Sequence, residues 1–248
     1  MKLTKDVPYG PGAEQRLDLY LPDGEEAWDL FLYFHGGGLN SGSKEWGKGM
    51  ARYLCERGIA VASADYRMMP SHAYPDFLRD AALASAFCRD WLKSRGGGRL
   101  FLGGSSAGGY LTMMLCFDGR WLGEVGVKGN EIAGYLHDAG QPTAHYNVLA
   151  HRGEDSRRVI VDDTAPLFYV GLEEAYPPMR FIVSDNDMKG RYEQTMLMLA
   201  TLSHFGYRDF DHTVMSGKHC EYCSKFDENG VSVLGKMIYG FICKVENN

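Results

Sequence analysis

The stretch Gly104-Ser105-Ser106-Ala107-Gly108 has the spacing of a nucleophile set on a sharp turn. A serine hydroxyl projects clear of its own backbone when it sits on a strained strand-to-helix turn. Glycines two residues before and after it remove the side chains that would keep neighbouring segments away. Ser106 fits this register better than Ser105, because only Ser106 has glycine at both flanking positions. The helix that begins there offers free backbone N–H groups to a developing oxyanion. Upstream, His35-Gly36-Gly37-Gly38 ends an apolar run. Three successive glycines at a strand end let backbone N–H groups point into open space, which oxyanion binding requires.

A serine hydroxyl is a weak nucleophile near neutral pH and needs a base held in its working tautomer by an acid. Of the eight histidines, only His219 follows the last apolar strand. Asp185 and Asp187 both follow the strand before it, and the aspartate not used by the base is expected to cap the next helix. His35 belongs to the glycine loop and is expected to order it, while His137, His145, His151, His204 and His212 carry no motif. Cys220 and Cys223 form a C-x-x-C, a pattern that serves redox or metal chemistry elsewhere. A zinc site needs a second pair of ligands at suitable spacing, and the sequence supplies none, so no metal is expected.

These groups need a frame. Arg16 to Leu21 alternates polar and apolar residues and meets Pro22-Asp23-Gly24, a half-buried strand and its turn. Asp29 to His35, Ile59 to Ala64, Ile132 to Leu136 and Met179 to Val183 are short apolar runs, as strands covered on both faces are. Leu100-Phe101-Leu102 enters the serine turn, and Phe210 to Met215 is the last strand. Helices are expected over Lys44 to Arg57, from Pro75 onward, over Arg191 to Phe205 and over Val231 to Val245. In the second of these, Phe77, Ala81, Ala84, Cys88 and Trp91 share one apolar face. Strands alternate with helices throughout, so the expected fold class is α/β, a doubly wound, mostly parallel sheet with helices on both faces. The irregular stretch 140–178 reads as an insertion with one or two short helices over the strand ends.

The totals agree. A chain of 248 residues, 45% hydrophobic, is commonly one α/β domain, here 1–248. A net charge of −6 leaves no basic footprint for nucleic acid. No apolar run approaches about 18 residues, so no membrane span is expected. The N-terminus MKLTKDVPYGPG has no apolar core of a signal peptide. Cys55, Cys88, Cys116 and Cys243 fall within expected helices, as reduced cysteines of a cytoplasmic protein do.

Three motifs in order, HGGG at 35–38, DYRMMPSHAYP at 65–75 and GGSSAGG at 103–109, resemble those of the hormone-sensitive-lipase-like carboxylesterases of the α/β-hydrolase fold. The resemblance implies a serine carboxylesterase for short acyl esters that needs no cofactor. It implies Ser106 as nucleophile, His219 as base, and an oxyanion hole from the N–H groups of Gly37, Gly38 and Ala107. The family's strand–G-x-x-D spacing maps Ser184 to the glycine and favours Asp187 over Asp185 as the acid. His72 is similar to the structural histidine of the D-Y-R motif. Only 34 residues precede HGGG, which resembles the smaller, open-faced esterases, some of which remove acetyl or feruloyl groups from plant polysaccharides. The substrate would then be a small ester or an acylated saccharide, in a pocket walled by Met68, Met69, the 140–178 insertion and the loop after His219. Amide hydrolysis on the same triad is a second reading, and a ligand receptor without catalysis a third, since fold alone does not fix function.

Overall fold

Eight short strands pair into one sheet in the computed structural model, which describes residues 1–24 and 28–246. They are β1 (Lys2–Pro8), β2 (Arg16–Leu21), β3 (Asp29–Phe34), β4 (Ile59–Ala64), β5 (Leu100–Ser105), β6 (Ile132–Asp138), β7 (Met179–Asn186) and β8 (Phe210–Lys218). The spatial order is β1-β2-β4-β3-β5-β6-β7-β8. The pairs β1–β2 and β2–β4 are antiparallel, and every pair from β4 to β8 is parallel.

Among the described residues, seven helices cover the sheet: α1 (Lys48–Cys55), α2 (Asp76–Ser94), α3 (Ala107–Phe117), α4 (Gly119–Glu124), α5 (Tyr146–His151), α6 (Arg191–His204) and α7 (Val233–Glu246). Along β3 the side chains alternate between two apolar layers. Leu30, Leu32 and Phe34 pack with Phe77 and Ala81 of α2, Leu111 of α3 and Leu202 of α6. Phe31 and Tyr33 join Leu54 of α1 and Ile238 and Phe241 of α7 on the other face. Strands buried on both sides are apolar at nearly every position, which is why the sequence shows them as runs.

The departures from the sequence expectation are local. β1 carried no apolar signal, because KLTKDVP is an exposed edge strand. Residues 44–47 form a 3-10 turn before α1 instead of joining one long helix. There Gly47 presses on Ser63, so closely that a Cβ would lie 2.4 Å from its Oγ. Pro75 caps α2 without being its first residue, and Asp76 opens the helix. β7 and β8 run on to Asn186 and Lys218, polar residues whose backbones still pair. The 140–178 stretch carries α5 and a 3-10 turn at Pro166–Tyr169.

Because β3 to β8 are parallel, their C-terminal ends lie along one edge of the sheet. That edge gathers the glycine loop after β3, the serine turn after β5, and the residues that follow β7 and β8. Among the described residues, no helix is long and apolar enough to cross a membrane.

Candidate active site

Ser106 links β5 to α3 at φ +55° and ψ −112°, a backbone conformation that a residue with a side chain rarely adopts. The flanking glycines make this geometry possible. A Cβ on Gly108 would lie 2.0 Å from the carbonyl oxygen of Phe34, and one on Gly104 would lie 2.5 Å from the backbone of Gly108. β3 and the start of α3 therefore approach more closely than any larger residue allows. The Ser106 N–H donates to the carbonyl of Asp138 across the β5–β6 seam at 2.7 Å.

The Ser106 hydroxyl meets Nε2 of His219 at 2.8 Å, and Nδ1 of the same ring meets Oδ1 of Asp187 at 2.5 Å. The Asp187 carboxylate is fully buried and accepts from the backbone N–H groups of Ser184 and Met188. Its burial raises the carboxyl pKa, but the bond to His219 and these N–H donors outweigh that and hold it below 3.8. For His219, burial disfavours the charged ring, while Asp187, and after it the Cys220 thiol, lift the pKa to about 9. Asp185 lies elsewhere: it accepts from the Gly217 N–H and ties β7 to β8, so it does not cap α6. Gly190 occupies that cap.

The glycine loop is held from two sides. Tyr66 donates to the carbonyl of His35 at 2.9 Å, and its ring stacks on the imidazole at 4.5 Å. His35 is fully buried, its Nδ1 is 2.7 Å from the Gly36 carbonyl, and burial pushes its pKa down, which favours the neutral ring. Arg67 forks onto the buried Asp80 at 2.7–3.0 Å and fixes the D-Y-R segment to α2. Met69 N–H then donates to the Leu39 carbonyl. From the insertion, Asn147 donates to the Gly38 carbonyl at 2.5 Å. His72 stands at the surface near Glu14 and Asp76. Gly36 lies close enough to the turn that a Cβ there would sit 3.2 Å from the Ser106 Cβ. Ala107 begins α3 beside Ser106.

A cleft of about 430 Å³ opens over Ser106 and His219. Gly36 and Gly37 form one wall, and Gly38 is not part of it. Tyr33, Trp46, Cys220, Cys223 and Ser224 form the rest. The pocket therefore differs from the expected one. The loop after His219 contributes, but Met69 is buried in the core and Met68 packs against it, and the insertion stays outside the lining. Trp46, 58% exposed, lines the cleft with an aromatic ring open to solvent. It carried no motif, because its place depends on the 3-10 turn before α1.

Beneath Ser106 lies a second polar group without a sequence motif. Asp138 ends β6, fully buried, and accepts from the hydroxyls of Ser105 and Tyr222 and from the Cys223 thiol. Burial pushes its carboxyl pKa up against those donors. The hydrogen bond with Cys223, and the neighbouring His219, hold the Cys220 thiol below its ordinary value.

Residues 31–156 match the model of a family described by the alpha/beta hydrolase fold. Over 114 residues the chain is 37% identical to a probable isoprenylcysteine alpha-carbonyl methylesterase of Oryza sativa subsp. japonica, covering 45% of this chain and 27% of that protein. Over 111 residues it is 34% identical to the carboxylic ester hydrolase LipN of Mycobacterium tuberculosis, covering 43% of this chain and 30% of that one. The chain thus spans less than a third of those relatives' length. Among solved structures, esterase B from Lactobacillus rhamnosis superposes with a TM-score of 0.79 at 18% identity over 99% of this chain and 86% of that one. A truncated carbohydrate esterase from gut microbiota superposes with a TM-score of 0.80 at 17% identity, covering 100% and 97%. At those identities the likeness is one of fold.

Proposed function

The chain belongs to the α/β-hydrolase family, and from that premise we propose that it is a serine carboxylesterase for short-chain acyl esters. The observation that carries the reading is the relay from Ser106 through His219 to Asp187, with contacts of 2.8 and 2.5 Å, at the floor of an open cleft. Ser106 attacks the acyl carbonyl while His219, oriented by Asp187, takes the hydroxyl proton. The oxyanion is met by the N–H groups of Gly37, Gly38 and Ala107, each such donor being worth about 2.7–4 kcal/mol in the transition state. His219 then protonates the departing alcohol and activates the water that releases the acid. The reading requires no metal or cofactor.

The substrate is a small ester, and the acetyl or aromatic-acyl ester of a saccharide is the class we propose. A cleft of about 430 Å³ admits a short acyl chain, and the exposed Trp46 beside it offers a flat face to a sugar or an aromatic ring. The test is hydrolysis of p-nitrophenyl acetate, butyrate and octanoate, then of acetylated xylose, by wild type and Ser106→Ala. We expect turnover of the short esters that falls by at least about 1,000-fold in the variant. Equal rates for the two proteins would remove the triad from the chemistry. Turnover of anilides with esters left intact would put the amidase reading in its place.

A further inference from the structure

We propose that Cys220, Cys223 and Asp138 form a binding site for a thiophilic divalent cation, Zn²⁺ by class, whose occupancy switches the neighbouring triad off. The second half rests on the esterase reading; the first does not. The sequence holds only half a site, since C-x-x-C lacks a partner pair. The fold supplies the missing ligand from 82 residues upstream, at the end of β6. Cys220 precedes the 3-10 turn Glu221–Ser224, whose Cys223 N–H donates to the Cys220 carbonyl at 3.0 Å. This tight turn brings both thiols to the side facing Asp138. The two sulfurs and a carboxylate oxygen all lie within 4.8 Å of one another, with Cys223 Sγ 3.2 Å from Asp138 Oδ2. Tetrahedral zinc with Zn–S bonds of about 2.3 Å places its sulfurs about 3.8 Å apart, so small rotamer changes suffice.

A second observation points to a cation. Asp138 is fully buried, yet among the described residues no lysine or arginine forms an ion pair with it. Its partners are two hydroxyls and a thiol. A buried carboxylate whose hydrogen-bond donors are all neutral is costly, and direct coordination by a cation at the thiol pair offsets that cost. Access is open, because both cysteines line the cleft. On binding, two thiol protons leave to solvent as two metal–sulfur bonds form, and no electrons are transferred.

The consequence follows from the distance to the base. Cys220 Sγ lies 3.7 Å from Nε2 of His219, the nitrogen that also meets Ser106. A dication held there can take the Nε2 lone pair as its fourth ligand, and the proton from Ser106 then has no acceptor.

The experiment uses reduced full-length protein. Zn²⁺ is titrated against a chromophoric chelator, and Co²⁺ is read by its sulfur-to-metal charge-transfer absorption. We expect one ion per chain, with Cys220→Ser and Cys223→Ser each weakening binding by more than about 100-fold and removing the absorption. Cys243→Ser, at the far end of the chain, leaves both intact. Hydrolysis of p-nitrophenyl acetate by the wild type falls with the same Zn²⁺ midpoint as occupancy. No stoichiometric ion, or binding undiminished in both cysteine variants, overturns the site. Cysteine-dependent binding without ester hydrolysis in any form keeps the site and removes the esterase reading. Ser106-dependent hydrolysis without zinc binding does the reverse.

Discussion

Ser106 is the residue at which function and stability pull apart. Its backbone at φ +55° costs about 1–3 kcal/mol, held in place by the glycines that let β3 and α3 close on it. Ser106→Gly therefore raises stability by about 1 kcal/mol in chemical denaturation while removing the hydroxyl and with it turnover. A destabilised glycine variant would show that the turn is not strained. In the proposed mechanism His219 carries the pH dependence. Only its neutral ring accepts a proton, and Asp187 lifts its pKa to about 9. The kcat/KM for a neutral ester should fall as pH drops, with a midpoint above the ordinary histidine value of 6.5 and toward 9. Asp187→Asn keeps the shape, lowers kcat by about 10,000-fold and moves the residual midpoint down. An acid limb at 6.5 in both proteins would take Asp187 out of that role.

At the scale of elements, the glycine loop after β3 is held in place by the segment after β4 rather than by its own glycines. Arg67 neutralises the buried Asp80, which also accepts from Gln15 at 2.6 Å, and thereby docks Tyr66 under His35. Arg67→Ala leaves that carboxylate uncompensated and costs about 3–5 kcal/mol. Arg67→Lys keeps the charge but loses the forked geometry, so kcat should drop more than the melting temperature does. Tyr66→Phe removes one hydrogen bond worth about 1 kcal/mol, and its effect on kcat with KM unchanged would mark the loop as positioned through His35. If Tyr66→Phe alters stability alone, the loop holds its shape without that tether.

For the whole molecule, stability and activity should have different pH optima. The Asp187 and Asp211 carboxyls titrate below 3.8 in the fold, so their stabilisation is present above pH 3.8 and is lost as pH falls through the lower folded values. For Asp211, burial works against the shift, and ion pairs to Arg180 and Lys244 cause it. His219 has the opposite sign. Its pKa is raised in the fold, so its contribution is complete below pH 6.5 and is lost as pH rises through about 9. Denaturation by urea should show a plateau between about pH 4 and 6.5 and a decline toward 9, where hydrolysis increases. Asp187→Asn should flatten the decline, and a wild-type curve that is level from 6.5 to 9 would contradict the coupling of His219 to the fold.

The sequence by itself determined the α/β frame and the glycine-flanked Ser106. Both are local: strands covered on two faces must be apolar throughout, and close backbone approach admits only glycine. It also placed His219 and two aspartates after the last strands, because in a parallel sheet every strand end reaches the same edge. Which aspartate meets the histidine was decided by the tertiary structure, where two positions along the chain separate the buried Asp187 carboxylate from an Asp185 bound to the next strand. The cleft walls were decided there too. Met68 and Met69 read as pocket residues from their place in a motif, yet the side chains packed with the core while a 3-10 turn set Trp46 at the opening. Asp138 has no motif at all; only the pairing of β5 with β6 and the fold-back of residues 221–224 put its carboxylate beside two thiols. Periodicity and turn chemistry record what each residue needs from its neighbours in the chain, and such contacts between distant segments leave no trace there.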